Sequence, residues 1–162
     1  MDLTHEYAVS VEWTGNLGTG TSGGRRAHSR DHVVRAAGKV HEIHGSADPA
    51  FFGDAERWNP EEMLLSALAQ CHMLSYLYVA VQRGVVVVAY RDDAVAHLER
   101  DADGSGRITG ATLRPVVTIA AGSPADADDA HAEAARLCFI ASSVAFPVRH
   151  EATLLLADDP LS

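Results

Sequence analysis

Two cysteines carry the most accessible chemistry in this sequence. Cys71 lies in Leu68-Ala69-Gln70-Cys71-His72-Met73 and Cys138 in Arg136-Leu137-Cys138-Phe139-Ile140, both apolar stretches of helical character. A thiolate attacks electrophiles and is oxidised reversibly, but it needs a nearby cation and a polar breach in its apolar wall. Without them a free cysteine is a small buried hydrophobe, and composition alone favours that reading. His72 is adjacent to Cys71, yet successive helix residues do not face each other, so it is a poor partner. The cysteines are 67 positions apart, which fits neither a disulfide scaffold nor a CxxC zinc site.

Other constellations are weaker. Among nine histidines, His28 with His32 and His41 with His44 suggest metal pairs. No spacing supplies a third ligand, so surface or hydrogen-bonded histidines are expected, and no metal. Gly18, Gly20 and Gly23 form a GxGxxG, but a dinucleotide turn requires a helix next. The following residues, from Arg25 to Val40, show no helical apolar stripe, so a wide hairpin loop is expected. Asp101–Gly106 resembles a calcium loop without its closing acidic residue and reads as a hairpin turn. No GxSxG elbow is present to support a serine hydrolase. Asp126, Asp128, Asp129 and Glu133 read as solvated helix positions.

The element that positions Cys71 is Asn59–Gly84. Asn59 suits the N-cap, Pro60 the first helical position, and Glu61 and Glu62 the positive end of the dipole. Gly84 is the stop signal. Apolar residues fall on every side of this helix, which predicts burial all round or a membrane. At about 36 Å it could span a bilayer, but Gln70, His72, serines and tyrosines interrupt it. The expectation is therefore a buried spine. Ahead of it, Glu6–Trp13 alternates as a half-buried strand, and His28–Ala37 and Lys39–Ile43 read as strands broken at Gly38. Behind it come strands at Val85–Tyr90, Ala94–Arg100 and Arg107–Ala121. A second helix follows from Ser123-Pro124 through Val144, then a strand at Arg149–Ala157. The order predicts an α+β fold with antiparallel sheet and two main helices, in a single domain over 1–162.

The totals narrow the partners. A net charge of −9 over 162 residues argues against nucleic-acid or anionic-membrane surfaces. The N-terminal residues lack a basic start and an apolar run, so a cytoplasmic location is expected.

Asn59–Met73 (NPEEMLLSALAQCHM) followed by Cys138–Val148 (CFIASSVAFPV) resembles the OsmC/Ohr family of thiol peroxidases. Ser29-Arg30-Asp31-His32 and Gly45-Ser46-Ala47-Asp48-Pro49 are similar to its OsmC-like branch. The resemblance implies an intertwined homodimer with two active sites at the subunit interface. It implies Cys71 as the peroxidatic cysteine, Cys138 as the resolving one, and Glu61 paired with an early arginine. That arginine matches Arg30, with Arg25 and Arg26 as competitors. Glu61 and Cys71 are about 15 Å apart along one helix, so an arginine from elsewhere must bridge them or another subunit must contribute. The implied activity is reduction of organic hydroperoxides through a Cys71–Cys138 disulfide, reset by an external dithiol without a bound cofactor. Two alternatives stand beside it: a non-catalytic relative binding a small hydrophobic ligand at the dimer interface, and a dimer with a purely structural role.

Overall fold

The computed structural model describes residues 3–157. Helix α1 spans Pro60–Gln82. Asn59 Oδ1 accepts from the Glu62 N–H at 2.8 Å, and Glu62 Oε2 accepts from the Asn59 N–H at 3.2 Å. This reciprocal box satisfies two donors that the first turn would otherwise leave open. At the far end Gly84 takes φ +67°, and the Val85 N–H returns to the Ala80 carbonyl at 2.9 Å. A left-handed residue there wants no Cβ, which explains the glycine.

The chain forms two compact units, up to Met63 and from Leu64 onward. The first holds three antiparallel strands in the order β1 (Ser10–Trp13), β2 (His32–Arg35) and β3 (Ile43–Gly45). Trp13 pairs with His32, so the glycine-rich segment between them is the wide hairpin loop expected, and no helix follows it. β1 is shorter than the predicted Glu6–Trp13 and is exposed, not half-buried. Val9 and Val11 are 69% and 65% accessible.

The second unit contains β4 (Val86–Asp92), β5 (Val95–Arg100), β6 (Gly106–Leu113), β7 (Pro115–Ala121), helix α2 (Pro124–Leu137), β8 (Val148–His150) and β9 (Thr153–Leu156). They form two three-stranded sheets, β4-β7-β9 and β5-β6-β8. The single strand expected over Arg107–Ala121 is two strands. Arg114 turns the chain from one sheet to the other, held where its N–H donates to Asp92 Oδ1 at 2.7 Å. The final predicted strand also divides, and β8 and β9 run parallel to β6 and β7. The sheets are therefore mixed, within the α+β class expected.

In α2, Ser123 Oγ accepts from the Asp126 N–H at 3.3 Å, and Pro124 opens the helix as predicted. The helix ends at Leu137 and does not continue to Val144. Ser142 Oγ donates to the Cys138 carbonyl at 3.0 Å and Ser143 Oγ to the Phe139 carbonyl at 2.7 Å. Such serine contacts compete with the helical ladder, leaving a short 3-10 turn at Ala141–Ser143.

The main core joins Tyr76, Val79 and Ala80 of α1 to Val117 and Ile119 of β7 and to Ala127, Ala130 and Ala134 of α2. The alanines give α2 a smooth, thin face. Tyr76 is fully buried, and its hydroxyl donates to the Ala127 carbonyl at 3.0 Å. Burying each large side chain here contributes about 1.5–3 kcal/mol. A second cluster gathers Leu68 with Ala111 and Leu113 of β6. The expectation that α1 is buried all round fails within the chain: Leu74, Tyr78 and Val81 are 62%, 59% and 79% accessible.

Candidate active site

Cys71 lies mid-way along α1 and is half-buried. Ala67, Cys71, Leu74, Ser75 and Tyr78 follow one another at three- and four-residue spacing, so they share one face of the helix. That face, with Leu137 and Phe139, lines an apolar cavity of about 650 Å³. Gln70 is the polar side chain on its wall besides the serine and tyrosine hydroxyls. A reacting sulfur here would meet hydrocarbon.

Cys138, expected inside a helix, instead caps the C-terminus of α2 with extended backbone, φ −72° and ψ 106°. It is buried to 1% accessibility. Its sulfur accepts from the Ala141 N–H at 3.4 Å. Burial first, and then a hydrogen bond with the Cys71 sulfur, push the Cys138 thiol up to about 11, so at neutral pH it keeps its proton. Both cysteines are free thiols. The two predicted redox residues are thus brought within hydrogen-bond reach of each other across α1 and α2. The predicted 67-residue separation is closed by the packing of the alanine face.

About 100° round α1 from Cys71, His72 is buried, and its Nε2 lies 3.1 Å from Nδ1 of His131 on α2. His150 of β8 completes a cluster of three imidazoles with ring centroids 5.4–5.7 Å apart. Burial lowers His72 and His131 to about 4, reinforced for both by His150 and for His131 also by His72, so both are neutral at pH 7. A small cavity of about 160 Å³ is lined by His72, Cys138, Ser142, Arg149 and His150. The sequence reading had these histidines as scattered or hydrogen-bonded. Two of them are indeed satisfied, but it missed that they cluster beside the cysteines. The available signal was position: His72 follows Cys71 directly, and His131 precedes Cys138 by two helical turns.

In the first unit, Arg30 does not pair with Glu61 within the chain. Its Nη1 donates to the carbonyls of Arg25 and His28, the latter at 2.8 Å. Its guanidinium lies 5.3 Å from the centre of the Phe52 ring, which Arg26 approaches at 5.8 Å. Phe52 itself has φ +66°, the one non-glycine residue with positive φ among the described residues. Asp48, whose Oδ1 accepts from the Ala50 N–H at 2.7 Å, holds the 3-10 turn Pro49–Phe51 that precedes it. Glu61, in the first turn of α1, forms no ion pair among the described residues, whereas Arg57 pairs with Asp31 and Asp54 at 3.7 and 3.5 Å. Arg25 likewise makes no ion pair there. Among the described residues no cluster of three histidine, cysteine or carboxylate side chains could hold a metal.

Comparisons with known proteins agree with this architecture. The chain is similar to an OsmC-like protein of unknown function from Vibrio cholerae, at 29% identity and TM-score 0.82, covering 92% of this chain and 99% of that one. It shares its fold with an organic hydroperoxide resistance protein from Elizabethkingia anophelis, at 13% identity and TM-score 0.67, with 96% and 100% covered. The organic hydroperoxide resistance protein OhrB of Bacillus subtilis superposes with TM-score 0.59 at 19% identity, covering 94% and 98%. No curated protein matches the sequence. Residues 53–153 match the family described as OsmC-like protein, a stretch that includes Glu61 and both cysteines, and the chain therefore belongs to that family.

Proposed function

We propose that this chain is a thiol-dependent peroxidase that reduces organic hydroperoxides to alcohols. The observation that carries the reading is the pairing of environments: Cys71 faces an apolar cavity, and the neighbouring Cys138 is buried and keeps its proton, raised by burial and by Cys71. In the first step the Cys71 thiolate attacks the terminal peroxide oxygen. An S–O bond forms, the O–O bond breaks, and the alkoxide leaves as an alcohol after taking a proton. Cys71 is left as a sulfenic acid. Cys138 then condenses with it: an S–S bond forms, and hydroxide leaves with the Cys138 proton as water. Two exchanges with an external cytoplasmic dithiol restore both thiols and oxidise that dithiol. The apolar walls of Leu74, Tyr78, Leu137 and Phe139 favour substrates with a hydrocarbon group over hydrogen peroxide.

A guanidinium beside Cys71 would favour the thiolate and bind the peroxide oxygens. Arg30, Arg25 and Arg26 are the candidates, with Glu61 orienting whichever serves. The proposed working unit is a homodimer. Its support is the exposure of Val11 and Trp13 on β1, of Val9 just before it, and of Leu74, Tyr78 and Val81 on α1, apolar surfaces of the kind that subunit contacts cover. Unpaired Glu61 fits a site completed by a second subunit.

A free-thiol count before and after one equivalent of an organic hydroperoxide, with alcohol release followed in parallel, tests the reading. Two thiols falling to none with stoichiometric alcohol is the expected result, and two persistent thiols would overturn it. The cavity volume, within the range of about 300–1,000 Å³ typical of small-molecule sites, also supports a second reading, a non-catalytic carrier of a hydrophobic ligand. Persistent thiols together with saturable binding of such a ligand would select it.

A further inference from the structure

The proposed cycle uses the two cysteines and leaves the buried imidazoles without a role. His72 is next to Cys71 on α1, and His131 lies two turns before Cys138 on α2. Their Nε2···Nδ1 contact of 3.1 Å is a directional link between the two helices that carry the cysteines, and His72 lines one small cavity with Cys138. The α2 side of that interface is largely alanine, which resists sliding weakly, and its other polar links include the Tyr76 hydroxyl on the Ala127 carbonyl and Arg83 on Glu133. A disulfide tolerates little displacement, since Cα atoms must lie about 4.4–6.8 Å apart with a defined dihedral. Cys71 is fixed by a regular helix, whereas Cys138 caps the end of another with extended backbone.

We propose that the His72–His131 hydrogen bond is a positioning device that fixes α2 in the register on α1 at which Cys71 and Cys138 can close a disulfide. This rests on the Cys71–Cys138 cycle proposed above. One ring donates and the other accepts, so the link survives a single added proton. With a second proton, two N–H groups would face each other at hydrogen-bond distance and the link is lost. The groups facing the pair are His150 and Arg149 from β8, Tyr76 from α1, Asp128 and Cys138 at α2, and Tyr90 of β4 beyond Tyr76, Arg149 being the cation among them. Asp128 is the carboxylate among them.

The test measures the equilibrium between dithiol and disulfide protein in dithiothreitol buffers, with the stability of the reduced form measured by urea in parallel. His131→Leu is expected to lower the equilibrium constant for disulfide closure at least tenfold, about 30 mV. Should that variant not fold, His131→Gln serves: it fills the space but offers its amide at the Nε2 position, beyond reach, and the same drop is expected. His72→Gln with His131→Asn places amide groups at the two nitrogen positions in contact and should restore closure to within about twofold of the parent. Closure by diamide should also slow more steeply in the parent than in this double variant as pH falls from 5 to 3, where the second proton enters. A purely structural role would change urea stability while leaving the closure constant alone, and that outcome overturns the proposal. If the parent forms no disulfide with either hydroperoxide or diamide, the peroxidase reading fails as well. If it forms one and His131→Leu or His131→Gln closes it with the parent constant, only the positioning role fails.

Discussion

The two faces of α1 carry residues of similar hydropathy and meet different fates. Leu68, His72, Tyr76 and Val79 pack against β-sheet and α2 at 2% accessibility or less, while Leu74, Tyr78 and Val81 stand open. The buried face includes a histidine and a tyrosine, and the open face includes leucine and valine. Polarity therefore did not decide which side turned inward. What decided it was partnership: the Tyr76 hydroxyl meets the Ala127 carbonyl, and His72 Nε2 meets His131. A buried polar group so satisfied costs little, whereas an orphaned one costs about 1–3 kcal/mol.

Substitutions can break or sharpen this contrast. The largest effect is expected from Tyr76→Ala, which opens a cavity and removes the hydroxyl's bond to the Ala127 carbonyl. By analogy with other buried aromatic truncations it should cost about 3–5 kcal/mol in urea unfolding. Next comes acid. His72 and His131 are held near 4 in the folded protein and return to about 6.5 when unfolded, so the unfolded chain binds more protons in between. Stability is complete above about pH 6.5 and falls as pH drops towards 4, by on the order of 3 kcal/mol per histidine. Urea titrations at pH 7 and pH 5 should show the loss, and the His72→Gln, His131→Asn double variant should largely escape it. Gly84→Ala, which forces a Cβ into a left-handed cap, should cost about 1 kcal/mol by the same assay. The smallest effect belongs to the open face: Leu74→Ser should change the unfolding free energy of the dissociated chain by no more than about 0.5 kcal/mol. The same variant should weaken self-association, read by sedimentation across a range of concentrations. A large loss of stability from Leu74→Ser at high dilution would erase the distinction between the faces.

The sequence revealed local features well and partnership poorly. Asn59, Pro60 and Gly84 marked the ends of α1 because caps are written in a few adjacent residues. Ser123-Pro124 marked the start of α2 for the same reason. The end of α2 was overrun because Cys138–Val144 is apolar enough to continue a helix, and only the serine hydroxyls bonding to nearby carbonyls show why it stops. Arg114 gave no sign of a change of sheet, since its neighbours all favour strands. Cys71 and Cys138 could be identified by their resemblance to a family, but their proximity comes from alanine packing that spacing alone does not encode. Arg30 shows the opposite limit. A matched motif pointed to a partnership with Glu61, yet within the chain its guanidinium is occupied by two carbonyls and the face of Phe52.

The parallel pairing of β8 with β6 and of β9 with β7 has a consequence for biosynthesis. Both sheets of the second unit are completed by residues between Val148 and Leu156, the last stretch of that unit to be made. Until it emerges from the ribosome, β6 and β7 each carry a bare edge of unpaired amides and carbonyls, which can pair with neighbouring nascent chains. The unit's folding is thus gated by translation of its final two strands, and chaperones that shield strand edges would matter most in that interval.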